Sequence, residues 1–305
     1  MKINKLDQLL EVKHDEKMKL AVIASHDDGV LEAIVKASEI GIIEPILIGD
    51  EIKTKEIAKE LKINVGKYEI IHEPELEKAA QLGVKLVREN KANFIMKGLI
   101  DTSTLLRAVL NKEWGLRTNS LLSHVMVYEI QNYHKLIYLT DGGMNISPNL
   151  EQKIKIVENS VTVVKALGNE KVKVACLAAK EKVDPKMAAT VDALELKNRY
   201  LEGHFEQGVV VDGPMALDLA ISQDSARIKG YESEVAGDAD ILLVPSIEMG
   251  NGIGKSITYF ADGKSAGIIM GAKVPIVLVS RADSYQSKLY SIALGGVISR
   301  YYNLT

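Results

Sequence analysis

Apolar residues fall along the chain in two alternating patterns. Short runs rich in β-branched residues recur as LAVIA from Leu20, PILIG from Pro45, EIIH from Glu69, NFIMK from Asn93, KLIYLT from Lys135, VKVACLA from Val172, GVVVDG from Gly208, DILLVP from Asp240 and PIVLV from Pro275. Between most of them lie longer stretches with apolar residues every three or four positions, as in LEKAAQLGVKLVREN, LEQKIKIVENSVTVVKALG and SKLYSIALGGVISRYY. Strand-sized runs alternating with helix-period segments predict an α/β protein whose mostly parallel sheets carry helices on both faces. Ser147-Pro148 predicts a helix start, a small polar cap followed by a proline suited to the first turn, opening the segment from Leu150 to about Leu167.

A chain of 305 residues is long enough for two α/β domains of ordinary size. No Gly/Ser tether or internal repeat separates them, so the boundary is expected at a compact crossover between Asp141 and Asn149. The expected division is a first domain over 1–141, completed by 282–305, and a second over 142–281.

Composition narrows the partners. Lys and Arg total 38 against 41 Asp and Glu, and the net charge of -3 provides no footprint for a nucleic acid. The longest apolar runs are strand-sized, well short of the roughly 20 residues of a membrane span. The single cysteine, Cys176, cannot form an internal disulfide, and the opening segment lacks an uninterrupted apolar stretch; a soluble protein of the reducing cytoplasm is expected.

The candidate chemistry gathers just after the predicted strands: Lys97-Gly98, Asp141-Gly142-Gly143, Asp212-Gly213-Pro214, Glu248 with Gly250-Asn251, and Ser280-Arg281. Ligands of open parallel sheets bind beyond the carboxyl ends of the strands, so these residues are predicted to converge on one such edge or on a cleft between two. Ser280-Arg281-Ala282-Asp283-Ser284 lies between a strand and a helix expected to begin near Ser284. Its backbone N–H groups and the positive helix end could hold an anion, with Arg281 as a bidentate grip; alternatively, the serines and Asp283 only cap the helix while Arg281 makes a surface ion pair. A second anion site could form where Asp101, Thr102 and Ser103 open a helix carrying Arg107 one turn inside, with Lys97 just before it; a cap with solvated cations accounts for the same residues.

Other motifs fail. EMGNGIGKS from Glu248 is not a nucleotide loop, because Met249 stands where the first glycine is required, although its glycines allow close backbone approach and Asn251 and Lys255 could donate to a ligand. The six histidines show no metal-ligand spacing, and Cys176 sits in an apolar strand pattern that reads as core. Asp238 and Asp240 are explained by a turn and strand entrance as well as by a cation, and His124 by packing or capping.

The blocks MKGLIDTSTLLRAVLNKEWGLRTNSLLSHVMVYE, VVDGPMALDLAIS, GDADILLVPSIEMGN and VPIVLVSRADS, in this order and spacing, resemble the phosphate acetyl/butyryltransferase family, and its butyryltransferase branch in particular. The resemblance runs from about Lys19 to the last helix. It implies a two-domain fold like that of isocitrate and isopropylmalate dehydrogenases, with the site in an interdomain cleft, and an acyl transfer between coenzyme A and inorganic phosphate. Both are substrates, so neither a metal nor another cofactor is expected. The family's catalytic serine-arginine pair matches Ser280 and Arg281, and its phosphoryl- or CoA-binding arginine matches Arg107. Lys97, Asp141, Gly250, Asn251 and Lys255 complete the expected phosphate and CoA contacts, and association into a homodimer or higher homo-oligomer is expected. The acetyl branch carries an aspartate seven positions after the serine where this chain has Ser287. Asp283 is therefore the expected base, on the same face if the helix has begun, with Asp141 and Asp212 as substitutes. Within the family, acetyl, propionyl or branched-chain acyl groups are the alternatives to butyryl; competing expectations outside it are a related dehydrogenase, whose nicotinamide and metal signatures are missing, a noncatalytic acyl-CoA or acyl-phosphate sensor, and a fatty acyl-carrier-protein phosphate acyltransferase.

Overall fold

A computed structural model describes residues 2–12, 17–280 and 282–304. In chain order the strands are β1 (Met18–Ile23), β2 (Ile43–Gly49), β3 (Glu69–His72), β4 (Phe94–Lys97), β5 (Ser123–Glu129), β6 (Ile137–Thr140), β7 (Val172–Leu177), β8 (Val209–Met215), β9 (Ile241–Leu243), β10 (Lys264–Met270) and β11 (Ile276–Val277). The α-helices are α1 (Asp28–Glu39), α2 (Glu51–Glu60), α3 (Leu76–Arg88), α4 (Thr102–Val109), α5 (Leu150–Ala166), α6 (Ala188–Leu201), α7 (Leu217–Ile221), α8 (Gln223–Lys229), α9 (Ile247–Phe260) and α10 (Tyr285–Leu304). Every expected strand forms. β5 and β10 are additional, and each pairs antiparallel with a neighbour, β5 with β6 and β10 with β11.

By its internal contacts the chain divides into two compact units, Leu6–Ser120 with Ala266–Thr305, and Met1–Lys5 with Leu121–Ser265. The expected crossover at Asp141 to Asn149 therefore lies inside the second of these, where the β5–β6 pairing keeps the two strands together.

In the first unit the strands run β3-β2-β1-β4-β11-β10, all parallel apart from β10. Leu20, Ala21, Val22 and Ile23 of β1 are fully buried, as expected for a strand covered on both faces. Helix α10 is buried over most of its circumference, from Leu289 to Ile298, which places it in the core rather than on the surface. Gly295 permits this: a Cβ there would lie 2.7 Å from the Phe94 ring of β4. The parallel strands bring Ala24–Asp28, Asp50, Lys97–Asp101 and Ser280 to one edge of this sheet.

In the second unit the order is β5-β6-β9-β7-β8, all parallel apart from β5. Helix α5 begins as expected at Leu150, but its cap is Asn149 and not Ser147. Gln152, three residues on, completes a reciprocal capping box that a cap at Ser147 would lack. Asp212, expected just beyond a strand, lies within β8, buried and 2.8 Å from the Lys197 ammonium.

Candidate functional site

In the first unit, the segment after β11 folds into a tight turn that leads into α10. Ser280 N–H donates to Asp283 Oδ2 at 2.7 Å, and Asp283 N–H returns a bond to the Ser280 carbonyl at 3.1 Å. Ala282 N–H donates to Ser280 Oγ at 3.3 Å, which leaves the hydroxyl hydrogen of this exposed serine to be given elsewhere. The helix has not begun at Asp283. Ser284 is its cap, the Ser284 carbonyl accepting from Lys288 N–H at 3.1 Å and its Oγ from Ser287 N–H at 3.1 Å. The expectation that Asp283 sits on the helical face is thus corrected: its carboxylate closes the turn preceding the helix, within one hydrogen bond of Ser280. Ser287 is occupied by the same cap, its Oγ 3.1 Å from that of Ser284. Arg281 lies outside the described residues.

Two other expected residues of this unit behave differently. Lys97, at the end of β4, is 9% exposed, and its ammonium donates to the carbonyls of Gly98 at 3.1 Å and Ile100 at 2.8 Å. It is built into the strand-end turn and does not stand as an open phosphate ligand. Gly98 follows because that turn presses on β1: a Cβ there would meet the Ala24 carbonyl oxygen at 2.2 Å. Arg107 is the opposite case. It lies in the last turn of the short helix α4, its side chain 71% exposed and one guanidinium nitrogen 3.5 Å from Glu77. The Asp101 side chain makes no capping hydrogen bond.

Sequence reasoning passed over His26 and Lys288. His26 follows β1 at the same sheet edge, its Nδ1 buried without a hydrogen-bond partner among the described residues. Burial, then the Lys53 cation, hold its pKa below the ordinary histidine value. The only signal was its place directly after a strand, in ASHDD. Lys288 is buried at the start of α10 and donates to the Asp283 carbonyl at 2.6 Å.

In the second unit, Asp141 follows β6 and is 2% exposed. Its Oδ1 accepts from Gly143 N–H at 2.8 Å and Met144 N–H at 2.9 Å, its Oδ2 from His124 N–H at 3.0 Å and Asn145 Nδ2 at 2.7 Å. A carboxylate engaged by four donors fastens the turn that follows β6. The segment EMGNGIGKS, with glycines expected to allow backbone approach to a ligand, is helical within α9. Its glycines serve packing: a Cβ at Gly250 would lie 2.6 Å from Gly142 Cα, and one at Gly254 would lie 2.7 Å from the Tyr128 hydroxyl. Gly250 N–H is spent on the Ser246 carbonyl at 3.2 Å, so it does not offer itself to a ligand. Asn251 and Lys255 stand exposed on this helix. Cys176 is core, and burial pushes its thiol pKa up. Among the described residues, no cluster of His, Cys, Asp or Glu is arranged to hold a metal, and no helix is long and apolar enough to cross a membrane.

Comparison with known proteins gives a consistent result. Residues 72–295 match the family described as phosphate acetyl/butaryl transferase. The chain is 46% identical to a phosphate butyryltransferase of Clostridium acetobutylicum, over 95% of this chain and 96% of that one. It is 42% identical to a phosphate acetyltransferase of Thermotoga maritima, over 96% and 99% of the two chains. The fold is similar to that of a branched-chain phosphotransacylase from Enterococcus faecalis V583, with a TM-score of 0.79, 34% identity, and coverage of 92% of this chain and 99% of the other.

Proposed function

The chain belongs to the phosphate acetyl/butyryl transferase family, and we propose that it transfers a short acyl group, butyryl by preference, reversibly between coenzyme A and inorganic phosphate. The observation that carries this reading is the 46% identity, over nearly the full length of both chains, to a relative named for that reaction. In this reading the two compact units are the two α/β domains of an isocitrate/isopropylmalate dehydrogenase-like fold, and the protein works in the cytoplasm. Coenzyme A and phosphate are its substrates, and no resident cofactor is needed. Association into a homodimer or higher homo-oligomer is part of the same proposal, supported by Tyr259 and Phe260, adjacent aromatics 69% and 91% exposed at the end of α9.

For the acyl-phosphate direction we propose direct attack by the CoA thiolate. A thiol with a pKa of about 8.5 gives its proton to the Asp283 carboxylate, whose place beside Ser280 supports that role. A carbon–sulfur bond forms at the acyl carbonyl, and the oxyanion that develops takes a hydrogen bond from the Ser280 hydroxyl. The carbon–oxygen bond to phosphate then breaks, phosphate leaves with the electron pair, and Arg281 and Arg107 offset its charge. The exposed, weakly tethered guanidinium of Arg107 supports a role in anion capture.

A noncatalytic acyl-CoA or acyl-phosphate-binding protein is the second reading, favoured by the placement of Ser287 in a helix cap where the acetyl branch carries a carboxylate. One assay separates the two: release of CoA thiol from acetyl-, butyryl- and isobutyryl-CoA with and without phosphate. Phosphate-dependent release, fastest with butyryl-CoA, is expected; no release from any of them would leave the binding protein.

A further inference from the structure

Two buried lysines of this chain have opposite surroundings. Lys153, 5% exposed, ends on the Asp192 carboxylate at 2.5 Å. Lys288 is equally buried, yet its ammonium meets the carbonyl oxygen of Asp283 at 2.6 Å, with no carboxylate in ion-pair range among the described residues. Removing an ammonium from water is costly unless an opposite charge or full hydrogen bonding compensates it, and one backbone carbonyl does neither fully. The location adds to the cost. Lys288 lies in the first turn of α10, at the positive end of the helix. It also presses on the first turn of α1: a Cβ at Gly29 would stand 3.4 Å from its Nζ. The nearby cap Asp27 is committed to Val30 N–H at 2.9 Å.

What the ammonium does hold is the turn. Its carbonyl partner belongs to the residue whose carboxylate reaches back to Ser280 N–H. Fixing the Asp283 carbonyl fixes the peptide that follows Asp283, and with it the residue whose carboxylate and N–H are both hydrogen-bonded to the Ser280 backbone. We propose that Lys288 is a positioning residue for acyl transfer, retained against stability because it holds the Ser280–Asp283 turn in its working conformation. This inference rests on the proposed reading of that turn as the reacting site.

The test compares Lys288→Met, which keeps the apolar stem and removes the ammonium, with Lys288→Gln, which keeps a neutral donor. For Lys288→Met we expect kcat to fall tenfold or more, KM for butyryl-CoA to stay within twofold, and the thermal midpoint to stay level or rise. Lys288→Gln is expected to recover severalfold of the lost kcat, since the bond to the carbonyl is what matters. A Met variant that unfolds or melts earlier, a kcat within twofold of the parent, or equal kcat in the Met and Gln variants would each overturn the proposal. Ser280→Ala, measured alongside, separates the two levels of the argument. If it keeps full turnover, the reading of the turn fails. If it loses turnover while Lys288→Met does not, only the role of Lys288 fails.

Discussion

Asp141 and Asp283 carry the same mark in the sequence, an aspartate shortly after an apolar strand, and the structure puts them to different uses. Asp141 is 2% exposed and takes four hydrogen bonds, three from backbone N–H groups and one from Asn145. Asp283 is half-buried and, among the described residues, its side chain makes a single hydrogen bond, accepted from Ser280 N–H. A carboxylate whose oxygens are taken up by four donors is committed to the turn it closes. One held by a single bond at a sheet edge keeps an oxygen for chemistry. Position after a strand is therefore a poor guide to a reactive group, and the donor count around it is a better one.

The contrast is broken most strongly at Asp141. Asp141→Ala would remove the acceptor of four part-buried hydrogen bonds, from Gly143, Met144, His124 and Asn145; a fully buried unsatisfied group costs about 1–3 kcal/mol, and with water reaching some of these donors the loss should be about 3 kcal/mol. Urea unfolding measures it, and a loss under about 1 kcal/mol would mean that the turn does not depend on this carboxylate. Ser280→Ala should leave stability almost unchanged but lower kcat about a hundredfold, or about 3 kcal/mol in the transition state, as expected on losing an oxyanion donor. Asp283→Asn sharpens the comparison further. The amide oxygen still closes the turn but no longer accepts the thiol proton with a carboxylate's basicity, so turnover should fall about tenfold with folding intact. Unchanged turnover would move the base elsewhere in the site.

Much of the frame was readable from the pattern of apolar residues because a strand buried on both faces writes an uninterrupted β-branched run. The missed strands are those without one. β5, SHVMVYE, alternates half-buried and buried positions, and β10 opens on the small residues KSAG. Helix α9 was unreadable because glycine opposes helix formation and three occur within five residues, at Gly250, Gly252 and Gly254. Tertiary contact overrides that preference where Gly250 lies against Gly142 and Gly254 against Tyr128. The turn around Ser280 was legible as a strand-to-helix junction, and the resemblance of the SRADS block marked its residues. The inward course of Lys97 and Lys288 was not legible, since nothing local distinguishes a lysine that turns into the protein from one that points to water.

The smallest effect is expected at Arg107. Its ion pair with Glu77 is long, at 3.5 Å, and both side chains are 71% exposed. Water and salt screen such a pair, and ordering two long side chains costs about what the attraction returns, so its coupling should be under about 0.5 kcal/mol. A double-mutant cycle of Arg107→Ala and Glu77→Ala, read by urea unfolding, measures that coupling directly. A coupling above about 1 kcal/mol would mean that the fold holds the guanidinium in place, and that a substrate anion must first break a pair to engage it. A coupling near zero leaves Arg107 as a cation with no structural commitment, the reverse of Asp141 and the condition its proposed role in capturing phosphate requires.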